Sequence, residues 1–156
     1  MKIVINSCFG GFSLSPRAVK RMAELQGKDC YFFKGYGKNI KPCTLENLEK
    51  SDTLMWYAFD LEDPSEIVSA CDSVNWIELP EEERKRRNDE YEKHSVTDRD
   101  IERNNPLLVR IVEELGEKAN GSYACLKIVE IPDDVEWEIE EYDGNEHISE
   151  KHRTWA

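Results

Sequence analysis

The sequence predicts an α+β fold in a single domain. Three observations carry that prediction. Two segments, each opened by a polar cap and a proline (Ser15-Pro16 and Asn105-Pro106), have helical apolar spacing. Short β-rich runs stand at both ends of the chain. An Asp143-Gly144 pair sits between two alternating strands, where a tight hairpin turn prefers it. The architecture expected is a mainly antiparallel or mixed sheet, two amphipathic helices on one face and a C-terminal β-hairpin. The whole chain, 1–156, is taken as that domain, with segment 28–95 the part that patterning defines least.

Lys2–Asn6 is short and β-branched, as in a buried strand. After it come Ser7-Cys8-Phe9-Gly10-Gly11-Phe12-Ser13-Leu14 and a helix. Ser15 suits the N-cap and Pro16 the first helical position, where a missing N–H costs nothing. Val19, Met22 and Ala23 fall on one face, and Gly27 supplies the stop. In the middle segment, Cys30–Phe33 and Thr53–Phe59 read as strands. Gly35–Asn39 reads as a turn, and Asp63-Pro64 opens a short helix through Val68. Pro80–His94 places Glu81-Glu82-Glu83 before Arg84-Lys85-Arg86-Arg87, the order of a solvated helix. Ser95–Asn105 lacks periodicity and reads as a loop.

The helix after Asn105-Pro106 has the clearest pattern. Leu107, Leu108, Ile111, Val112 and Leu115 recur at helical spacing, with Gly116 or Gly121 at its exit. Ala124–Ile131 is apolar enough for an inner strand, closed by Pro132. Val135, Trp137 and Ile139 then alternate with Glu136, Glu138 and Glu140, as in a half-exposed strand. Pairing Tyr142 with Asn145 across the turn sets Ile139 opposite Ile148 and Glu140 opposite His147. Apolar then meets apolar, and acid meets histidine. A tryptophan near the end, in His152-Arg153-Thr154-Trp155, is costly to leave in water. It is expected to dock on the domain or on another subunit.

The net charge of -12 argues against binding a nucleic-acid backbone, which needs clustered cations. No apolar run of about 18 residues predicts a membrane span, and the apolar start is too short for a signal peptide. Five cysteines, widely spaced and without a CxxC, fit reduced thiols in a cytoplasm better than zinc or a disulfide framework. No metal and no cofactor is expected.

The candidate ligand site is the corner Phe9, Gly10, Gly11, Phe12 and Ser13. Its glycines would let backbone approach a phosphate, with Arg17 and a helix N-terminus adding positive potential. Phe9 and Phe12 would stack on a base. The corner lacks the P-loop lysine and is not GxGxxG. The competing reading is a tight turn with core phenylalanines. Arg99 and Arg103 lie in a polar loop suited to phosphate or carboxylate, or to local ion pairs. His152 and Arg153 complete the candidate set. Cys8 stands at a strand end near a helix start, where a thiolate can be stabilised, but no histidine is placed beside it; the simpler reading is a small buried residue. No catalytic residue is assigned.

Four strings carry a resemblance: Met1-Lys2-Ile3-Val4-Ile5-Asn6-Ser7-Cys8-Phe9-Gly10-Gly11-Phe12-Ser13-Leu14-Ser15, Leu115–Gly121, Ile139–Gly144 and Glu150–Trp155. In these the chain resembles a group of small bacteriophage and prophage proteins, over the first 25 residues and roughly 98–155. The resemblance implies a phage context and brings no catalytic residue with it. Taken with the Phe9-Gly10-Gly11-Phe12 loop and Arg17, Arg99 and Arg153, that context leads to the expectation of a counter-defence protein, a homo-oligomer, that sequesters a nucleotide-type immune signal without turning it over. The alternative is an acidic module that blocks a host protein, as a DNA mimic or inhibitor. A small nucleotide-acting enzyme comes third.

Overall fold

A computed structural model describes residues 1–51, 55–72 and 75–151. The elements in chain order are β1 (Lys2–Asn6), α1 (Pro16–Leu25), β2 (Tyr31–Lys34), β3 (Lys41–Cys43), α2 (Leu45–Glu49), β4 (Trp56–Phe59), α3 (Ser65–Cys71), α4 (Glu81–His94), α5 (Pro106–Leu115), β5 (Leu126–Glu130), β6 (Trp137–Tyr142) and β7 (Asn145–Glu150). The class is α+β, with small antiparallel sheets and a C-terminal hairpin. None of the described helices is long and apolar enough to cross a membrane.

The chain forms two compact units. One is Met1–Met22 with Asp98–Ala156; the other is Ala23–Thr97. The segment whose patterning was least defined, 28–95, is thus nearly coextensive with the second unit.

In the first unit, β1 pairs antiparallel with β5, Ile3 opposite Val129 and Asn6 opposite Leu126. Ile3, Val4 and Ile5 are buried with Leu108, Ile111 and Val112 of α5. The caps work as their residue types require. Ser15 Oγ accepts from Ala18 N at 3.1 Å, and Asn105 Oδ1 accepts from Leu107 N at 2.9 Å. Gly116 ends α5 with a positive φ of 55°, which favours glycine. Arg21 of α1 bonds Glu114 of α5 through Nε at 2.8 Å, and Arg110 joins the same carboxylate at 2.7 Å.

The hairpin has the register derived from the sequence: Tyr142 faces Asn145, Ile139 faces Ile148 and Glu140 faces His147. The one sheet expected is divided, and in this unit β1–β5 and β6–β7 are separate two-stranded ladders. Side chains, not a backbone ladder, join them. The inner strand is also shorter than Ala124–Ile131, because Cys125 N bonds the Asn6 side chain at 2.7 Å rather than a strand partner.

In the second unit, the antiparallel order is β3-β2-β4. Phe33, Phe59 and Val68 form its core, with Ile40, Tyr57, Ile67 and Tyr91 packed around them. Phe59 meets Phe33 and Tyr91 edge-on at 5.8 and 5.4 Å between centroids. Helix α4 has no buried residue. It is tied to α3 by Arg87, whose Nη1 donates to Ala70 O at 2.9 Å. The expected strands are displaced: β2 begins at Tyr31 rather than Cys30, and β4 at Trp56, Thr53 lying outside the described residues. The short helix runs on to Cys71. Strand β3 and helix α2 carried no apolar pattern long enough to be foreseen.

Candidate functional site

The glycine corner of the first unit is built around one buried side chain, Asn6. It is fully buried at the end of β1. Its Nδ2 donates to Cys8 O at 2.7 Å and to Gly144 O at 2.6 Å. Its Oδ1 accepts from Cys125 N at 2.7 Å and from the Cys8 thiol at 3.4 Å. Its backbone N donates to Glu146 Oε2 at 2.7 Å. One amide therefore holds the corner, the entry to β5 and the hairpin turn together. A buried amide is retained at low cost when its donors and acceptors are met in this way.

Glu146 is the second hub, only 8% exposed. Arg103 reaches it with both terminal nitrogens, at 3.0 and 2.9 Å, a fork-on-fork pair. The same guanidinium lies 3.4 Å over the Phe12 ring centroid. Arg103 O in turn accepts from Val4 N at 2.8 Å. Its charge is thus balanced by Glu146, and the Phe12 face is covered.

Gly144 and Gly10 are required by contact. A Cβ on Gly144, at φ 84°, would stand 2.3 Å from Gly11 N; one on Gly10, at φ 141°, would stand 2.4 Å from Tyr123 O. The hairpin turn and the Gly10-Gly11 backbone are in direct apposition. The corner is closed by protein on that side. Ser13 O accepts from Gly121 N at 2.9 Å, and Asp98 Oδ2 accepts from Leu14 N at 2.7 Å.

Of the residues singled out in the sequence, the structure brings Gly10, Gly11, Phe12 and Arg103 into one cluster with Glu146, and Ser13 adjoins it through Gly121. Phe9 is 65% exposed instead of filling the core. Arg17 is half-buried on the first turn of α1, and Arg99 is exposed next to Asp98. His152, Arg153 and Trp155 lie outside the described residues. The Cys8 thiol is pushed up from its ordinary pKa, first by its hydrogen bond with the Cys125 side chain and then by desolvation. Among its described contacts are Asn6 Oδ1 and Tyr123 O, neither of which is a base. No group of three His, Cys, Asp or Glu side chains among the described residues is placed to hold a metal ion.

The sequence reading missed Asn6, Glu146, Tyr123 and Tyr142. Glu146 left a signal: it lies two residues before Ile148, on the inward face that the Ile139–Ile148 pairing defines. A carboxylate there needs a buried cation, and Arg103 supplies it.

The hairpin's outer face is the other part of the site. Trp137, Ile139 and Ile148 are half-buried and Glu146 is buried, so this face turns inward. Glu136, Glu138, Glu140 and Tyr142 alternate with them and are exposed. Glu140 Oε2 lies 2.9 Å from His147 Nε2, and its Oε1 accepts from Ser149 Oγ at 2.7 Å. Tyr142, at the end of this acidic row, is 77% exposed. Phe9 and Tyr123, the latter 63% exposed, flank the glycines on which the turn rests. The arrangement presents three large rings and a row of carboxylates on one unit.

Comparison with protein-family models, with characterised proteins and with solved structures finds no match.

Proposed function

We propose that this chain is a non-enzymatic binding protein of a phage-infected cell, and that its target is a basic, nucleic-acid-binding host protein. The observation that carries the reading is the outer face of the hairpin: Glu136, Glu138 and Glu140 in a row that ends in the exposed ring of Tyr142. Alternate strand residues stand about 6.8 Å apart, two axial steps of a nucleic-acid strand at about 3.4 Å each. The row therefore offers negative charge at intervals that a phosphate-binding surface can meet. Exposed rings bordered by charge suit an interface in which aromatic residues anchor the centre and carboxylates at the rim steer approach. The net charge of -12 favours the same class of partner over nucleic acid itself.

Capture of a nucleotide signal at Phe9–Ser13 is the second reading, favoured by the exposure of the Phe9 ring beside two positive-φ glycines. It draws less from the geometry, because the arginine stacked on Phe12, Arg103, is already paired with Glu146.

Affinity capture from host extract separates the two. The immobilised protein is expected to retain nucleic-acid-binding proteins of high pI, released by salt, and Glu136→Lys, Glu138→Lys and Glu140→Lys together should abolish the retention. Retention unaffected by that triple change would reject the hairpin as the surface. A rise in Tm with cyclic or ADP-ribose-type nucleotides would support the second reading instead.

A further inference from the structure

We propose that Cys8 and Cys125 form a dithiol site, open to thiol-directed oxidants and trivalent arsenicals, that closes to an intrachain disulfide at the end of the β1–β5 ladder. The two residues meet where the ladder stops. Asn6 and Leu126 are its last partners, and immediately beyond them Ser7 N donates to Cys125 O at 2.8 Å. Asn6 Oδ1 gathers both cysteines: it accepts from the Cys8 thiol at 3.4 Å and from Cys125 N at 2.7 Å. A buried amide that is bonded on every side thus holds one thiol and the other residue's backbone on a single oxygen. Cys8 is half-buried and Cys125 exposed, so a small oxidant reaches the pair from solvent. The remaining cysteines, Cys30, Cys43 and Cys71, all belong to the other unit. The interaction of the two side chains is also what chiefly raises the Cys8 pKa.

The reaction balances with a peroxide as oxidant. One thiol gives up two electrons to the O–O bond, forming a sulfenic acid and one water. The second sulfur then attacks that sulfenic sulfur, and its hydroxyl leaves with the proton as a second water. Because the Cys8 thiol is held protonated, the rate should rise with pH above neutrality. Cys8 directly precedes Phe9, and its thiol donates to Tyr123 O at 3.3 Å, so the bond would form next to the backbone that carries both rings. Its bearing on binding through those rings rests on the proposed binding surface, whereas the disulfide itself does not.

Peptide mapping without reductant, after hydrogen peroxide treatment at mildly alkaline pH, tests the site. The expected product is a monomer short of two hydrogens, with the Cys8 peptide linked to the Cys125 peptide. Its Tm should be higher by roughly 5 °C or more, because the bond closes a long loop. Phenylarsine oxide should protect the same two thiols from alkylation, and Cys125→Ser should abolish both effects. If Cys8 is recovered as a sulfinic acid, linked to any other cysteine or joined between chains, and the arsenical protects neither thiol, the site does not exist.

Discussion

At the residue scale, the fold of the first unit depends on a few polar side chains that most sequence reasoning assigns to the surface. Glu146 and Arg103 are worth more together than apart, because each satisfies the other's charge out of water. A double-mutant cycle with Glu146→Gln and Arg103→Ala should give a coupling energy of about 1–3 kcal/mol in urea unfolding. An arginine kept for an incoming phosphate would give coupling near zero. Gly144→Ala should be costlier than an ordinary surface change, by about 2–4 kcal/mol. Its φ of 84° disfavours any Cβ, and the new methyl would meet Gly11 N, a backbone atom that cannot turn aside. Of the two hubs, Glu146 left a trace in the hairpin register, whereas Asn6 left none. Asn6 looks like the polar end of a strand, and its role arises only when residues 8, 125 and 144 converge on it.

At the scale of elements, legibility followed periodicity and local turn chemistry. Helix α5 and the hairpin could be placed because Asn105-Pro106 and Asp143-Gly144 set their ends and apolar spacing set their faces. Strand β3, Lys-Pro-Cys, has no such period; it exists because β2 offers it an edge. Helix α4 is the opposite case, obvious from charge order yet with no buried residue, so side-chain pairs have to support it. Arg86 and then Arg87 hold the Glu83 carboxyl down to about 2, and Arg21 and then Arg110 do the same for Glu114. The folded pKa values lie below the ordinary 4.5, so the stabilisation is complete above that pH and is lost as pH falls through the window from 4.5 to about 2. Far-UV circular dichroism should therefore show helix loss across that window, and molar salt at neutral pH should weaken the same pairs. Glu83→Gln should flatten the part of the acid transition that belongs to α4.

At the scale of the whole molecule, composition decided more than any motif. The proposed basic partner rests on the net charge and on the carboxylate row running from Glu136 into β6, where charge and an exposed ring coincide. The alternation of Glu136, Glu138 and Glu140 with inward apolar residues was readable, so the acidic face was too. That Tyr142, Phe9 and Tyr123 would be left exposed was not, because burial of a ring depends on what packs over it. Tyr142→Ser should leave Tm unchanged within about 1 °C, as expected for an exposed side chain, and weaken partner binding by about tenfold, the loss of one interface anchor. The most direct measurement is competition. The captured host protein is bound to labelled duplex DNA, and this protein is titrated in while fluorescence anisotropy is followed. Full displacement of the DNA is expected, with an apparent affinity that falls steeply as salt rises and is lost in the Glu136/Glu138/Glu140→Lys variant. DNA that stays bound while this protein joins it in a ternary complex would contradict the proposed function.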